Sequence, residues 1–130
     1  MTNEIEALYQ KIGQHMVSLI EVEFSDLWLY AAAAEGWVRS GVYYKACEGR
    51  IYKLSTRPDS DLILDLWEAS SKSGDNWDEM TFHVTSEGDF EASFEYDVPE
   101  EALHDFDRPR QWIKKTLGDV EINESPSQES

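Results

Sequence analysis

The chain is short of positive charge, of cysteine and of long apolar runs. Its 130 residues hold 11 Lys and Arg against 27 Asp and Glu, a formal net charge of −16. That imbalance excludes general affinity for nucleic acid phosphates or an anionic membrane surface and favours a basic partner. The single cysteine, Cys47, can form neither an internal disulfide nor a thiolate metal cluster, which suits a reducing compartment. No apolar stretch approaches the roughly 20 residues of a membrane-spanning helix. The acidic N-terminus lacks the basic-then-apolar layout of a secretory leader. The expectation is a cytoplasmic protein that stays where it is made.

The motifs of catalysis are missing too. There is no Gly-rich phosphate loop, no paired Cys or His at metal-ligand spacing, and no Ser or Cys in a nucleophile motif. The histidines, His15, His83 and His104, are scattered. His15 adjoins an apolar stripe with no second ligand nearby and reads as a packing residue. His83 projects from the polar side of a strand, where Glu91 or Glu95 across the sheet suits it better than a general-base role. Glu91 and Glu95 on one strand face stand roughly 13 Å apart by strand rise, too far for the roughly 5 to 9.5 Å of a glycosidase pair. The residues point to a protein that performs no reaction and needs no cofactor or metal.

What is present is apolar content of 41 % with five Trp, six Tyr and five Phe, enough for a packed domain. Acid is concentrated between Asp75 and Asp107, where twelve carboxylates stand with no Lys or Arg. Inside that stretch Met80, Phe82 and Val84 alternate with Thr81, His83 and Thr85. Phe90, Ala92, Phe94 and Tyr96 alternate with Glu91, Ser93, Glu95 and Asp97. A period of two predicts half-buried strands, and Gly88 in the Ser86–Asp89 link supplies the turn of a hairpin. One face is apolar and the other acidic, and a one-residue slip would bury the acids.

Elsewhere, Asn3 and Glu6 form a capping pair for an amphipathic helix carrying Ile5, Leu8, Ile12, Met16 and Leu19 to about Val22. Leu27 to Ala34, apolar on both faces, predicts a central strand, although its four alanines also suit a helical fragment. Trp37 to Ala46 and Arg50 to Leu54 follow as strands after turns at Glu35-Gly36 and Glu48-Gly49, and place Lys45, Arg50 and Lys53 away from the acidic hairpin. A helix with Leu62, Ile63, Leu66 and Trp67 begins at Asp59 or Ser60. Asp97 and Pro99 open a helical turn through Leu103. Asp107 and Pro109 start a last helix with Trp112, Ile113, Leu117, Lys114 and Lys115, stopped by Gly118. Residues 119–130 lack apolar periodicity and read as a flexible acidic tail. The expected architecture is one α+β domain over residues 1–118, an antiparallel sheet of about five strands with helices packed against it, in the order α-β-β-β-α-β-β-α.

The candidate partner-binding residues are Asp78, Glu79, Glu91, Glu95, Asp97, Glu100 and Glu101. Trp37 and Trp77, each beside a turn, are candidate exposed anchors. Trp28, Trp67, Phe82, Phe94 and Trp112 are assigned to the core.

One succession of motifs is more specific than any of its parts. An N-terminal amphipathic helix precedes Leu27-Trp28-Leu29-Tyr30-Ala31 and Gly41-Val42-Tyr43-Tyr44; Trp77 then stands just before Met80-Thr81-Phe82. Glu87-Gly88-Asp89-Phe90 leads to Phe94-Glu95-Tyr96-Asp97, and Arg108-Pro109-Arg110-Gln111-Trp112 closes with Leu117-Gly118. From about Glu4 to Gly118 this resembles the YezG/EsaG-type family of immunity proteins. The resemblance implies a small cytoplasmic antitoxin that binds the toxic C-terminal domain of a secreted or contact-delivered toxin, often a nuclease. It supplies no catalytic motif and no residue-level binding motif. A nuclease lines its cleft with Lys and Arg, so a fixed acidic surface would complement it and speed association. A second class, the type III secretion chaperones or another peptide-binding adaptor, shares the element order and charge but no residue motif. Such a chaperone dimerises and wraps an extended segment. The oligomeric state stays open between monomer and weak dimer.

Overall fold

The computed structural model describes residues 3–20, 23–34, 37–54, 59–103, 105 and 107–124. Helix α1 (Asn3–Leu19) turns Ile5, Leu8, Ile12 and Met16 to one side, and all four are buried, as three- and four-residue spacing requires. It ends at Leu19 rather than near Val22, with the Ile20 N–H turned back on the Val17 carbonyl. The side chain of Asn3 and the Glu35-Gly36 turn lie outside the described residues.

Strand β1 (Phe24–Ala34) is the spine of the sheet. It pairs antiparallel with β2 (Trp37–Ala46) on one side and with β4 (Glu79–Thr85) on the other, so Tyr30 faces Gly41 and Thr81. Ala31, Ala32 and Ala33 are at most 1 % exposed. Pairing along both edges makes this alanine run a strand and overrides its helical propensity. A turn through Gly49, at φ +101°, leads from β2 to β3 (Ile51–Lys53). Helix α2 (Ser60–Lys72) starts where Asp59 accepts the Asp61 N–H at 3.0 Å. Strand β5 (Phe90–Glu95), α3 (Glu100–Leu103) and α4 (Arg108–Thr116) follow.

The expectation of an antiparallel α+β sheet holds, with one addition. A sixth strand, β6 (Ile122–Glu124), runs parallel to β3, giving the order β5-β4-β1-β2-β3-β6. It falls in the segment expected to be a tail. Three residues carry no readable period; the strand exists because Ile122 packs on the sheet and Asn123 donates to the Ile51 carbonyl at 3.2 Å.

Both faces of the sheet are covered. Leu27, Leu29, Val42, Tyr44, Met80 and Phe82 pack on one side against Ile12 and Met16 of α1 and Ile63 and Leu66 of α2. On the other side Trp112 of α4 lies 5.3 Å, ring centre to ring centre, from both Tyr30 and Tyr43. Two long helices thus cover the apolar face, while α4 lands on the polar one.

Trp77 is fully buried against Phe94, and its indole N–H has no hydrogen-bond partner among the described residues. An orphaned buried donor costs about 1–3 kcal/mol. Trp77→Phe removes that donor along with some volume and should shift stability by less than about 1 kcal/mol. Trp112→Phe, which abandons the 2.7 Å bond to Thr81, should cost more. Urea midpoints of the two variants would reverse this order if the Trp77 N–H were in fact satisfied.

Candidate protein-binding site

The β4–β5 hairpin is in the register expected from its alternation. Val84 faces Phe90, Thr81 faces Ser93 and Glu79 faces Glu95. Gly88 sits at φ +93° in the turn, where a side chain would strain the backbone. Glu91, Ser93 and Glu95 therefore share a face with Glu79, Thr81 and His83, while Ala92 and Phe94 join Met80 and Phe82.

The acidic face is not uniformly available. Glu79 is only 5 % exposed. Arg108, at the start of α4, grips it with Nε and Nη2, each 2.7 Å from a carboxylate oxygen, and Tyr30 donates its hydroxyl at 2.6 Å. Burial pushes the Glu79 carboxyl up, but the bonds from Arg108 and Tyr30 outweigh burial and hold it below the usual carboxylate range. Burial and Glu79 together drive the Tyr30 phenol well above its ordinary value. Further along α4, Trp112 donates to the Thr81 hydroxyl at 2.7 Å and Lys115 reaches Glu95 at 2.8 Å. A cleft of about 520 Å³ lies between α4 and the strands. On its floor Glu79 is bonded to Arg108 and Thr81 to Trp112.

Several expected contact residues are thereby reassigned. Glu79 is a structural ion pair, because α4 covers the polar phase of β4. Trp77 is 0 % exposed and cannot be an anchor; its place before β4 points it into the core. Asp78 is half-buried and accepts the Val98 N–H at 2.9 Å. Trp37 is half-buried against the Tyr30 and Trp112 cluster, with the Arg39 guanidinium 5.9 Å from its ring, and β1 separates it from the hairpin. Glu91, Glu95, Asp97 and Glu101 are exposed, as are Glu87 and Asp89 in the turn. The side chain of Glu100 lies outside the described residues. Asp97 takes φ +59°, a left-handed conformation that Asp tolerates better than most residues, and turns the chain out of β5.

His83 turns the other way from the expected one. Its ring stacks on Trp28 at 5.1 Å, and Nε2 lies 2.8 Å from Asp26 of β1. Trp28 is its neighbour in register, and a flat aromatic surface with a carboxylate beside it outcompetes a solvated glutamate. Burial pushes the Asp26 carboxyl up, but hydrogen bonds from His83 and Ser25 outweigh it and leave it below the usual range. His15 accepts the Asp59 N–H at 3.0 Å and so ties α1 to the start of α2.

The hairpin's other side carries a shallow, mainly apolar groove of about 430 Å³ bordered by Tyr9, Gln10, Gly13, Gln14 and Val17 of α1 and by Val84 and Phe90. Val17 and Phe90 are each 42 % exposed.

Tyr30, Arg108, Trp112 and Lys115 build the site, although the sequence does not single them out as functional. Their one sequence signal is phase: Glu79 falls in step with Thr81 and His83, and an acid at the head of an alternating strand needs a cation if a helix covers it. Among the described residues no group of three His, Cys, Asp or Glu could hold a metal ion, and no helix is long and apolar enough to cross a membrane. No protein-family model matches the chain, and no curated protein does.

Proposed function

We propose that the chain is an immunity protein that neutralises the toxic C-terminal domain of a cognate secreted or contact-delivered toxin by stoichiometric binding, without performing a reaction. The observation that carries this reading is a cluster of exposed acids at the edge of the sheet: Glu91 and Glu95 in register on β5, Glu87 and Asp89 in the turn before it, and Asp97 just past its end. Such an array complements a Lys- and Arg-lined cleft, and a nuclease is the toxin class that must possess one. The cleft under α4 supports binding over catalysis, since its most buried charges are already matched within the fold. The order of motifs from Glu4 to Gly118 supports the same class, and the acidic surface and single Cys47 suit the cytoplasm of the producing cell.

The test is a titration of the proposed cognate toxin. Its C-terminal domain should lose activity linearly and reach zero near one equivalent of the protein. Loss of activity at a small fraction of an equivalent would mean that the protein acts catalytically, and full activity at several equivalents would remove the immunity reading.

A further inference from the structure

We infer that β5 is an acceptor for strand addition, taking an extended segment of a protein partner in which Lys or Arg alternates with apolar residues. This deepens the preceding reading: it rests on the hairpin as the contact surface and adds how the contact is made.

The first observation is an open backbone edge. Among the described residues β5 pairs with β4 alone and closes one end of the sheet. The Thr85 N–H bonds the Asp89 carbonyl, so in this register the ladder positions of β5 are Glu91, Ser93 and Glu95. The N–H and C=O groups of Phe90, Ala92 and Phe94 therefore point away from the sheet, a template for another strand. The second observation is that the two sides of this edge differ. The apolar groove at Val17 and Phe90 adjoins one side, and Glu91, with the turn acids Glu87 and Asp89 nearby, stands on the other. An added strand presents alternate side chains to these two sides. Apolar residues suit the groove and cations suit the acids.

Charge argues against a second copy of the chain as the occupant. Two β5 strands paired antiparallel about Ala92 would bring Glu95 of each to Asp89 of the other, like charges across the sheet at both ends of the pair. A basic strand turns the same acids into attraction.

The test uses the whole protein and a synthetic eight-residue peptide of alternating Lys and Val. A peptide of the same composition with the four Lys and four Val in blocks serves as control. The alternating peptide should shift the amide resonances of Phe90, Ala92 and Phe94 and bind at least about tenfold more tightly than the block peptide. Ala92→Pro removes an outward N–H and no ladder bond, a position where an edge strand accepts proline. It should unfold at the same urea concentration as the natural protein and lose at least about tenfold in peptide affinity. Methylating alternate backbone nitrogens of the peptide makes the same test on the unaltered protein and should have the same effect. Equal binding of the two peptides, indifference to methylation, or shifts confined to other elements would overturn the proposal. So would a dimer that Ala92→Pro dissociates, which would assign the edge to a second copy. A cognate toxin domain held equally by natural and Ala92→Pro protein removes strand addition and leaves the immunity reading intact. Peptide binding as described, with no toxin bound, does the reverse.

Discussion

Replacing Arg108 with alanine is expected to lower the folding free energy by about 3 kcal/mol at neutral pH, more than the loss of any solvated ion pair on this surface. The Arg108 side chain is about one quarter exposed and the Glu79 side chain only 6 %, so the loss is not that of a surface ion pair, which would be worth no more than about 1 kcal/mol. Its source is a carboxylate left in the sheet with the Tyr30 hydroxyl as its hydrogen-bond donor among the described residues and Lys115 acting at longer range. Acid should narrow the difference. Because Glu79 has a lowered folded pKa, its contribution in the natural protein is fully present above the ordinary glutamate value of about 4.3 and is lost as pH falls through the lower folded value. In the variant, burial acts without the arginine, so Glu79 takes up its proton at higher pH than in the natural protein and the penalty fades as the solution is acidified. Urea unfolding at neutral and at acidic pH measures both effects. A loss below about 1 kcal/mol at neutral pH would show that the pair is solvated rather than buried.

The second large effect concerns binding. Glu91→Lys together with Glu95→Lys should weaken toxin affinity at least about tenfold, or about 1.4 kcal/mol, mainly by slowing association, and should flatten its dependence on salt. Glu91 and Glu95 are exposed, and the Glu95 pair with Lys115 is a solvated one, so folding should change by no more than about 0.5 kcal/mol. Asp65→Lys with Glu68→Lys, an equal charge change on the exposed side of α2, is the control and should alter affinity less than about twofold. Equal losses from both pairs would mean that net charge, and not the hairpin, attracts the toxin.

Periodicity makes most of the fold legible in advance. The stripe of Ile5, Leu8, Ile12 and Met16, the two-residue alternation of β4 and β5, and the turn at Gly88 each state a local preference that tertiary packing agrees with. Legibility fails where a decision belongs to contacts distant in sequence. Three residues of β6 pair because β3 presents an edge. Glu79 reads as a surface acid because nothing in its own strand announces that α4, some thirty residues later, will lay Arg108 across it. The turn-like neighbours of Trp77 point it outward, whereas its size demands the core. His83 has two candidate sides, and Trp28 decides between them by offering a stacking surface. The part of the site that does follow from sequence is the part whose side chains stay exposed: Glu91, Asp97 and the acids of the turn.

Hydrogen exchange of the protein with and without the toxin domain tests the account most directly, because it maps the contact without altering a residue. The account predicts added protection over residues 86–97, strongest at the amides of Phe90, Ala92 and Phe94, with α2, β3 and β6 unchanged. Protection centred on α2 or on the β3–β6 end of the sheet, with residues 86–97 exchanging as in the protein alone, would contradict it.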